Sequence, residues 1–339
     1  MKKLGVVVLC SVLSLIVFGL SAHAEIQVNL TSAKFDIVND TTFRIHYLEI
    51  TGADGKYWVD FTWDPNFFYF YPINVGAESY NISTFSSGFS YPTGIAINPA
   101  NRSLYVKSGT TGRVWSTPIQ SNGSAGTTKV VTESFTPDMQ ITFDASGTMY
   151  GVEANTKYLY KLGAANDVTK IKLDNSEYYT GAIAIESPGI SSSKLFAVSS
   201  WYSDYYLRYI PINSIQENSD MVEIGDTCGN IRFMLYRPSV GGIASTYGSS
   251  IVNINPTNGS CDVMLSGFVQ SAGIAEDETG SIYVADTGAG TITKIYPLGQ
   301  SEVIVSNLKS PIGLAYDQMT KLLFVAENAS GNILAIKIP

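Results

Sequence analysis

Beyond its first two dozen residues the sequence holds one histidine, His46. A Ser-His-Asp triad would need that residue, and a multi-histidine metal site would need more. His46 sits among Phe43, Ile45 and Tyr47 in a strand-like stretch, and a structural role on a sheet face is the reading that fits. The chemistry left to the chain is that of carboxylates, amides and guanidinium groups. Asp138, Gln140, Arg232 and Glu276 stand at repeat positions that are otherwise apolar or small. Grouped around one axis they would make a polar channel site, with Arg232 held by a carboxylate or a ligand anion, because a buried guanidinium needs a partner. The alternative is an internal network of ion pairs and hydrogen bonds. A second candidate is aromatic: Trp201, Tyr202 and Tyr205 lie in a loop-and-strand stretch and could stack on a sugar ring or a partner surface. Ordinary cross-strand packing is the other use of such residues.

These side chains must be positioned by repeats. Pro92-Thr-Gly-Ile-Ala-Ile-Asn with Leu104-Tyr-Val opens one copy. Ala272-Gly-Ile-Ala-Glu-Asp with Ile282-Tyr-Val-Ala-Asp opens another, and Pro311-Ile-Gly-Leu-Ala-Tyr-Asp with Leu323-Phe-Val-Ala-Glu a third. Weaker copies start at Asp138, Thr180 and Asn230. Taking Ile95, Ile141, Ile183, Ile231, Ile274 and Leu314 as equivalent gives spacings of 46, 42, 48, 43 and 40 residues. Periods of about 40–50 residues with several short strands each indicate a propeller, and six copies indicate six blades. The small residues Ala96, Thr142, Ala184, Ala275 and Ala315 would lie where blades converge, with Arg232 as the fourth blade's member of that column. The last repeat lacks a fourth strand, and Tyr80–Phe85 is placed to supply it and close the ring.

The repeats resemble those of NHL-type and gluconolactonase-like six-bladed propellers. That likeness rests on the Pro-x-Gly-Ile-Ala and aromatic-Val-Ala-Asp segments over residues 91–339, with Asp286 matching and Glu327 nearly so. Lys107 takes the Asp position in the first copy, which keeps Arg113, while the fifth has Thr291 in place of the Arg. The resemblance implies fold more than function. Lactonase-like relatives hold a divalent cation through Glu, Asn and Asp oxygens, and their Glu is expected just before the first inner strand. Gly88-Phe-Ser-Tyr-Pro92 has no carboxylate there. Streptogramin-lyase-like relatives depend on a propeller histidine, and residues 80–339 contain none. The acidic turns Asp144–Gly147 and Asp277–Gly280 have too few ligands for Ca²⁺ on their own and read as plain turns.

Residues 1–24 read as a secretory signal: Lys2 and Lys3, an apolar run from Leu4 to Leu20, then Ala22-His-Ala24. After cleavage no stretch is long and apolar enough to span a bilayer. Loss of Lys2 and Lys3 leaves 19 basic against 29 acidic side chains, a balance that disfavours nucleic acid. Residues 25–79 read as a small β-hairpin module, in which the two-sided apolar stretch Phe67–Tyr71 needs a cover. Cys228 and Cys261 remain as a pair. Counting in an oxidising compartment favours a disulfide. Up-and-down strands place the two residues at opposite ends of one blade, which opposes it.

The sequence therefore indicates an all-β chain: signal 1–24, hairpin module 25–79 and six-bladed β-propeller 80–339. Its leading functional reading is a periplasmic or secreted, non-catalytic bacterial binding protein with a protein or glycan partner and no required cofactor. A cation-dependent, lactonase-like hydrolase using Ca²⁺ in the channel is one alternative. A cell-surface assembly component is the other.

Overall fold

In the computed structural model, residues 80–338 are described except 137–139, 164–165, 174–177, 187–192, 239 and 298. Of residues 1–79 only the course of six strands is described: Leu15–Ile16, Glu25–Gln27, Lys34–Ile37, Thr42–Ile50, Lys56–Asp64 and Tyr69–Ala77, all in one antiparallel sheet. The rest of residues 1–24, the turns within residues 25–79, and the side chains of His46 and Phe67–Tyr71 lie outside the described residues. By its contacts the chain divides into two compact units, Met1–Ser79 with Pro339 and Tyr80–Ile338.

The second unit is a six-bladed β-propeller, each blade a four-stranded antiparallel sheet. The inner strands are Pro92–Asn98, Thr142–Phe143, Tyr178–Ile185, Phe233–Arg237, Ser271–Glu276 and Pro311–Asp317. Each touches the next around the axis, and the sixth returns to the first. The ring closes as the sequence indicates: Ile82–Ser87 pairs with the last strand, Asn332–Lys337, as the outer strand of blade 6. The first and last strands of this unit are thereby joined in one blade.

One apolar face of each blade packs on its neighbour, so the core runs round the ring as interlocking clusters. The small column is real: Ala96, Thr142, Ala184, Ala275 and Ala315 each pair with an aromatic residue of the second strand, namely Tyr105, Tyr150, Phe196, Tyr283 and Phe324. Two glycines let inner strands approach. A Cβ on Gly273 would lie 2.1 Å from the Ile312 carbonyl oxygen, and one on Gly313 would lie 2.4 Å from that of Thr93.

Blade 4 departs from the sequence register. It pairs Leu235 with Ala244 and Tyr236 with Ile243, as blade 5 pairs Ala275 with Tyr283 and Glu276 with Ile282. Met234, not Ile231, is therefore the partner of Ile274, and Leu235, not Arg232, fills the small column. Arg232 moves three residues up the strand, to the level of Ala272, and is exposed. Blade 4 lacks the glycine and aspartate that blades 5 and 6 carry, Gly273 with Asp277 and Gly313 with Asp317. Phe233 stands in the glycine column and Arg237 in the aspartate column, so the apolar alternation of Ile231, Phe233 and Leu235 imitates a register that the pairing does not adopt.

The same blade resolves the cysteines. Cys228 and Cys261 form a disulfide, with Cα atoms 5.8 Å apart. Counting strands along one flat sheet separates them, but the bond crosses between blades. Blade 3's outer strand, Val222–Asp226, ends on the Asn255–Ser260 turn of blade 4. A Cβ on Gly225 would meet the Asn258 carbonyl oxygen at 2.5 Å, and one on Gly259 that of Asp226 at 2.6 Å. The twist of each sheet carries its outer strand over the neighbouring blade. Cys228, just past that strand, thus meets Cys261 at the start of blade 4's own outer strand.

Candidate functional site

Two ends of the ring differ in what they hold. At one end, here called lower, each inner strand turns into its second strand. Asp277 accepts from the Thr279 and Ser281 amides and from the Thr279 and Tyr283 hydroxyls. Asp144 does the same with Ser146, Thr148 and Tyr150. Each carboxylate is thus hydrogen-bonded within its own turn, as an Asx-type turn requires. Burial pushes the Asp277 carboxyl up, but those donors and the nearby Lys294 cation outweigh it and hold the group below its ordinary value.

Glu276 belongs to this lower end. Its Oε1 lies 2.8 Å from Arg237 Nε, both side chains are nearly buried, and Arg237 also donates to the Gly280 carbonyl. Glu276 therefore ties blade 5 to blade 4 and does not face Arg232. Gln140 is an inner-ring residue, as its register indicates, but its amide is committed. The side-chain carbonyl accepts from the backbone N–H of Ile183 (3.1 Å) and of Met234 (2.9 Å), and the side-chain N–H₂ donates to the Met234 carbonyl. One side chain of blade 2 thus joins blades 3 and 4. Asp138 lies outside the described residues. The three described candidates are not gathered into one site: Gln140 and Glu276 are structural ties, and Arg232 lines a pocket that includes neither.

The second-strand carboxylates are structural too. Asp286 accepts from four backbone amides, those of Val269, Gln270, Gly288 and Ala289. Glu327 accepts from the Lys309 amide and the Ser330 hydroxyl. The pairing of Pro92 with Ser108, like that of Ser271 with Asp286, puts Ser108 rather than Lys107 in this column. Ser108 receives the Thr110 and Thr111 amides in the same manner.

Arg232 lies at the opposite, upper end, in a pocket of about 250 Å³ that three blades share. Blade 2 contributes Ala154 and Asn155 from the turn after Met149–Val152, and blade 3 contributes Thr180, Ser200 and Tyr205. Asn230 and Arg232, on the approach to blade 4's inner strand, complete it. The walls are fixed by backbone bonds between and within blades. Asn155 N–H of blade 2 donates to the Tyr179 carbonyl of blade 3 at 2.7 Å, and within blade 3 Thr227 N–H donates to the Tyr205 carbonyl at 2.8 Å. Two extra residues in blade 3's inner strand, between Tyr179 and Ile183, make an irregularity that holds Thr180, a residue of the pocket wall.

The electrostatics single out Arg232. Arg102, Arg113, Arg208 and Arg237 each meet a carboxylate: Asp317, Glu133, Glu223 and Glu276. Among the described residues Arg232 meets none, and no pocket-lining residue is acidic. The Thr180 hydroxyl is buried in the wall and has no hydrogen-bond partner among the described residues.

The aromatic candidates border this pocket. Ser200 pairs with Tyr205 and Trp201 with Asp204, so the Tyr202-Ser203 tip rises directly from the wall. Tyr205 lines the pocket and packs on the core of blades 3 and 4. Trp201 is 43% exposed and Tyr202 91%, and their rings meet edge-on with centroids 5.4 Å apart. The sequence marks Arg232 and Tyr205 without linking them. Asn155, Thr180, Ser200 and Asn230 carry no signal in it beyond being polar and near turns.

No protein-family model matches the chain, nor does any curated protein sequence. Solved structures do match. A structural genomics protein of unknown function from Bacteroides thetaiotaomicron is 16% identical over 93% of each chain, with a TM-score of 0.61. A gluconolactonase from Xanthomonas campestris is 11% identical over 77% of this chain and 90% of its own, with a TM-score of 0.60. A streptogramin B lyase is 14% identical over 76% and 97%, with a TM-score of 0.53. The likeness is one of fold. This six-bladed propeller is similar in architecture to gluconolactonase-like and lyase-like propellers, as the repeats imply, and proteins of that architecture carry different chemistries.

Proposed function

We propose that the chain is an exported binding protein that captures an anionic ligand at the upper face of the propeller. The observation that carries this reading is the Arg232 guanidinium: exposed inside a three-blade pocket, with no carboxylate among the described residues to neutralise it. A cation left without an internal partner in a concave, donor-rich site favours an anion from outside. Asn155, Ser200, Asn230 and Tyr205 add neutral donors and acceptors around it.

Binding fits this pocket better than hydrolysis. Hydrolysis needs a base or a metal-held water beside the bound group, and the lining residues supply neither. At the lower end Asp144 and Asp277 are occupied by their own turns, Glu276 by Arg237, and Asp317 by Arg102 and Thr320. Export is supported by the signal-like N-terminus and by the Cys228–Cys261 disulfide, a bond that persists in oxidising compartments. No helix among the described residues is long and apolar enough to cross a membrane.

Calorimetric titration with small carboxylates and inorganic phosphate tests the proposal. Binding should be measurable and should weaken about 10–100-fold in Arg232→Gln, the loss of one charge-assisted contact. Unchanged affinity in that variant would contradict it. Turnover of a lactone by protein carrying one Ca²⁺ per chain would move the reading to the hydrolase.

A further inference from the structure

Resting on the anion-binding reading, we infer that the ligand is the acidic end of a carbohydrate chain: a sugar carboxylate seated on Arg232, with the following ring stacked on the Trp201–Tyr202 tip.

Three observations lead there. The first is the pocket lining. Apart from Ala154, every lining side chain is polar: Asn155, Thr180, Ser200, Tyr205, Asn230 and Arg232. An apolar side chain of a peptide would strand those groups unbonded. A ring carrying several hydroxyls and one carboxylate satisfies them, and the Thr180 hydroxyl belongs to the same wall. The volume of about 250 Å³ accommodates one sugar ring.

The second is the tip. Tyr202 opens a two-residue hairpin turn with φ of +56°. That conformation suits Asn or Gly, and a bulky side chain there costs about 1 kcal/mol. The chain keeps a tyrosine, 91% exposed, beside a half-exposed tryptophan. Flat aromatic faces at the rim of a polar pocket match the apolar faces of sugar rings.

The third is charge. The whole chain has a formal net charge of −8, so its field repels a densely charged polyanion. One local cation in an acidic protein selects a ligand with one carboxylate at the point of contact. Nucleic acids and heavily sulfated chains are disfavoured on that ground.

Calorimetry on the full chain with galacturonic acid, its trimer, neutral maltotriose, acetate and inorganic phosphate tests the inference. The trimer should bind at least 10-fold more tightly than acetate, phosphate or maltotriose. The exposed double variant Trp201→Ala, Tyr202→Ala should lower trimer affinity about 5–10-fold and leave acetate binding unchanged. Trimer, acetate and phosphate binding equally through Arg232 would overturn the carbohydrate assignment and leave the anion pocket standing. So would a trimer affinity indifferent to the double variant, or maltotriose binding as tightly as the trimer. If no anion binds, the pocket reading itself falls, and the assignment with it.

Discussion

Arg237 Nε lies 2.8 Å from Glu276 Oε1, across the junction of blades 4 and 5. This pair explains why two of the candidate charges, Arg232 and Glu276, do not meet. Arg237 occupies the column that holds Asp277 and Asp317 in the next blades, and it takes the Glu276 carboxylate for itself. Arg232 is left to the upper pocket.

Glu276→Ala should therefore unfold more readily while binding ligand normally. Removing one partner of a nearly buried pair leaves the Arg237 charge stranded, at a cost of about 3–5 kcal/mol. Urea denaturation and calorimetry on one preparation check both halves. Arg232→Gln should show the opposite pattern, near-native stability with lost affinity.

Gln140→Ala should cost about 2–4 kcal/mol, because it strips partners from the Ile183 N–H and from both backbone groups of Met234. Gln140→Glu should not rescue it, since a carboxylate cannot donate to the Met234 carbonyl. Thermal melts of the two variants decide the matter, and a native-like melt for Gln140→Glu would contradict the assigned bonds.

Reduction of Cys228–Cys261 should affect both stability and binding. The bond closes a 33-residue separation, worth about 3–4 kcal/mol on loop-closure grounds. Cys228 also precedes Asn230 and Arg232 on the same short segment, and its N–H rests on Cys261 Sγ at 3.0 Å. Cys228→Ser with Cys261→Ser should weaken anion affinity at temperatures where the ring remains folded. Equal affinity with and without the bond would show that the segment is held by other contacts.

Acid should destabilise the ring through its turn carboxylates. Burial pushes Asp317 up, but hydrogen bonds from Arg102 and Thr320 outweigh it, so it too lies below its ordinary value of 3.8. A carboxyl lowered on folding stabilises the native state at neutral pH, and that stability is lost as pH falls from about 4 through the folded value. Asp277→Asn and Asp317→Asn should each flatten the dependence of unfolding free energy on pH below about 4, measured by denaturant titration. An unchanged slope in both would contradict the assignment.

The blades with complete markers could be read directly from the sequence. Gly273 and Gly313 mark the close approach of strands, Ala275 and Ala315 the crowded column, and Asp286 and Glu327 the loop cap. The closing strand was legible because the last repeat lacked one. Blade 4 was not legible, since apolar residues occupy alternate positions in either of two registers three residues apart, and only cross-strand pairing chooses between them. The disulfide was obscured by the same error together with sheet twist, which brings a residue past one blade's outer strand onto the next blade. The pocket could not be found at all from the chain order. Its walls come from turns of three blades, and their polar residues look like any turn residues until the ring places them side by side.

Among the described arginines Arg232 alone meets no carboxylate, and it is the one proposed to hold the ligand. Phenylglyoxal footprinting read by mass spectrometry tests it directly. The account predicts that Arg232 reacts fastest among Arg102, Arg113, Arg208, Arg232 and Arg237, and that galacturonate oligomers protect it selectively. Slow modification of Arg232, or modification at the same rate with and without saturating carboxylate, would contradict it.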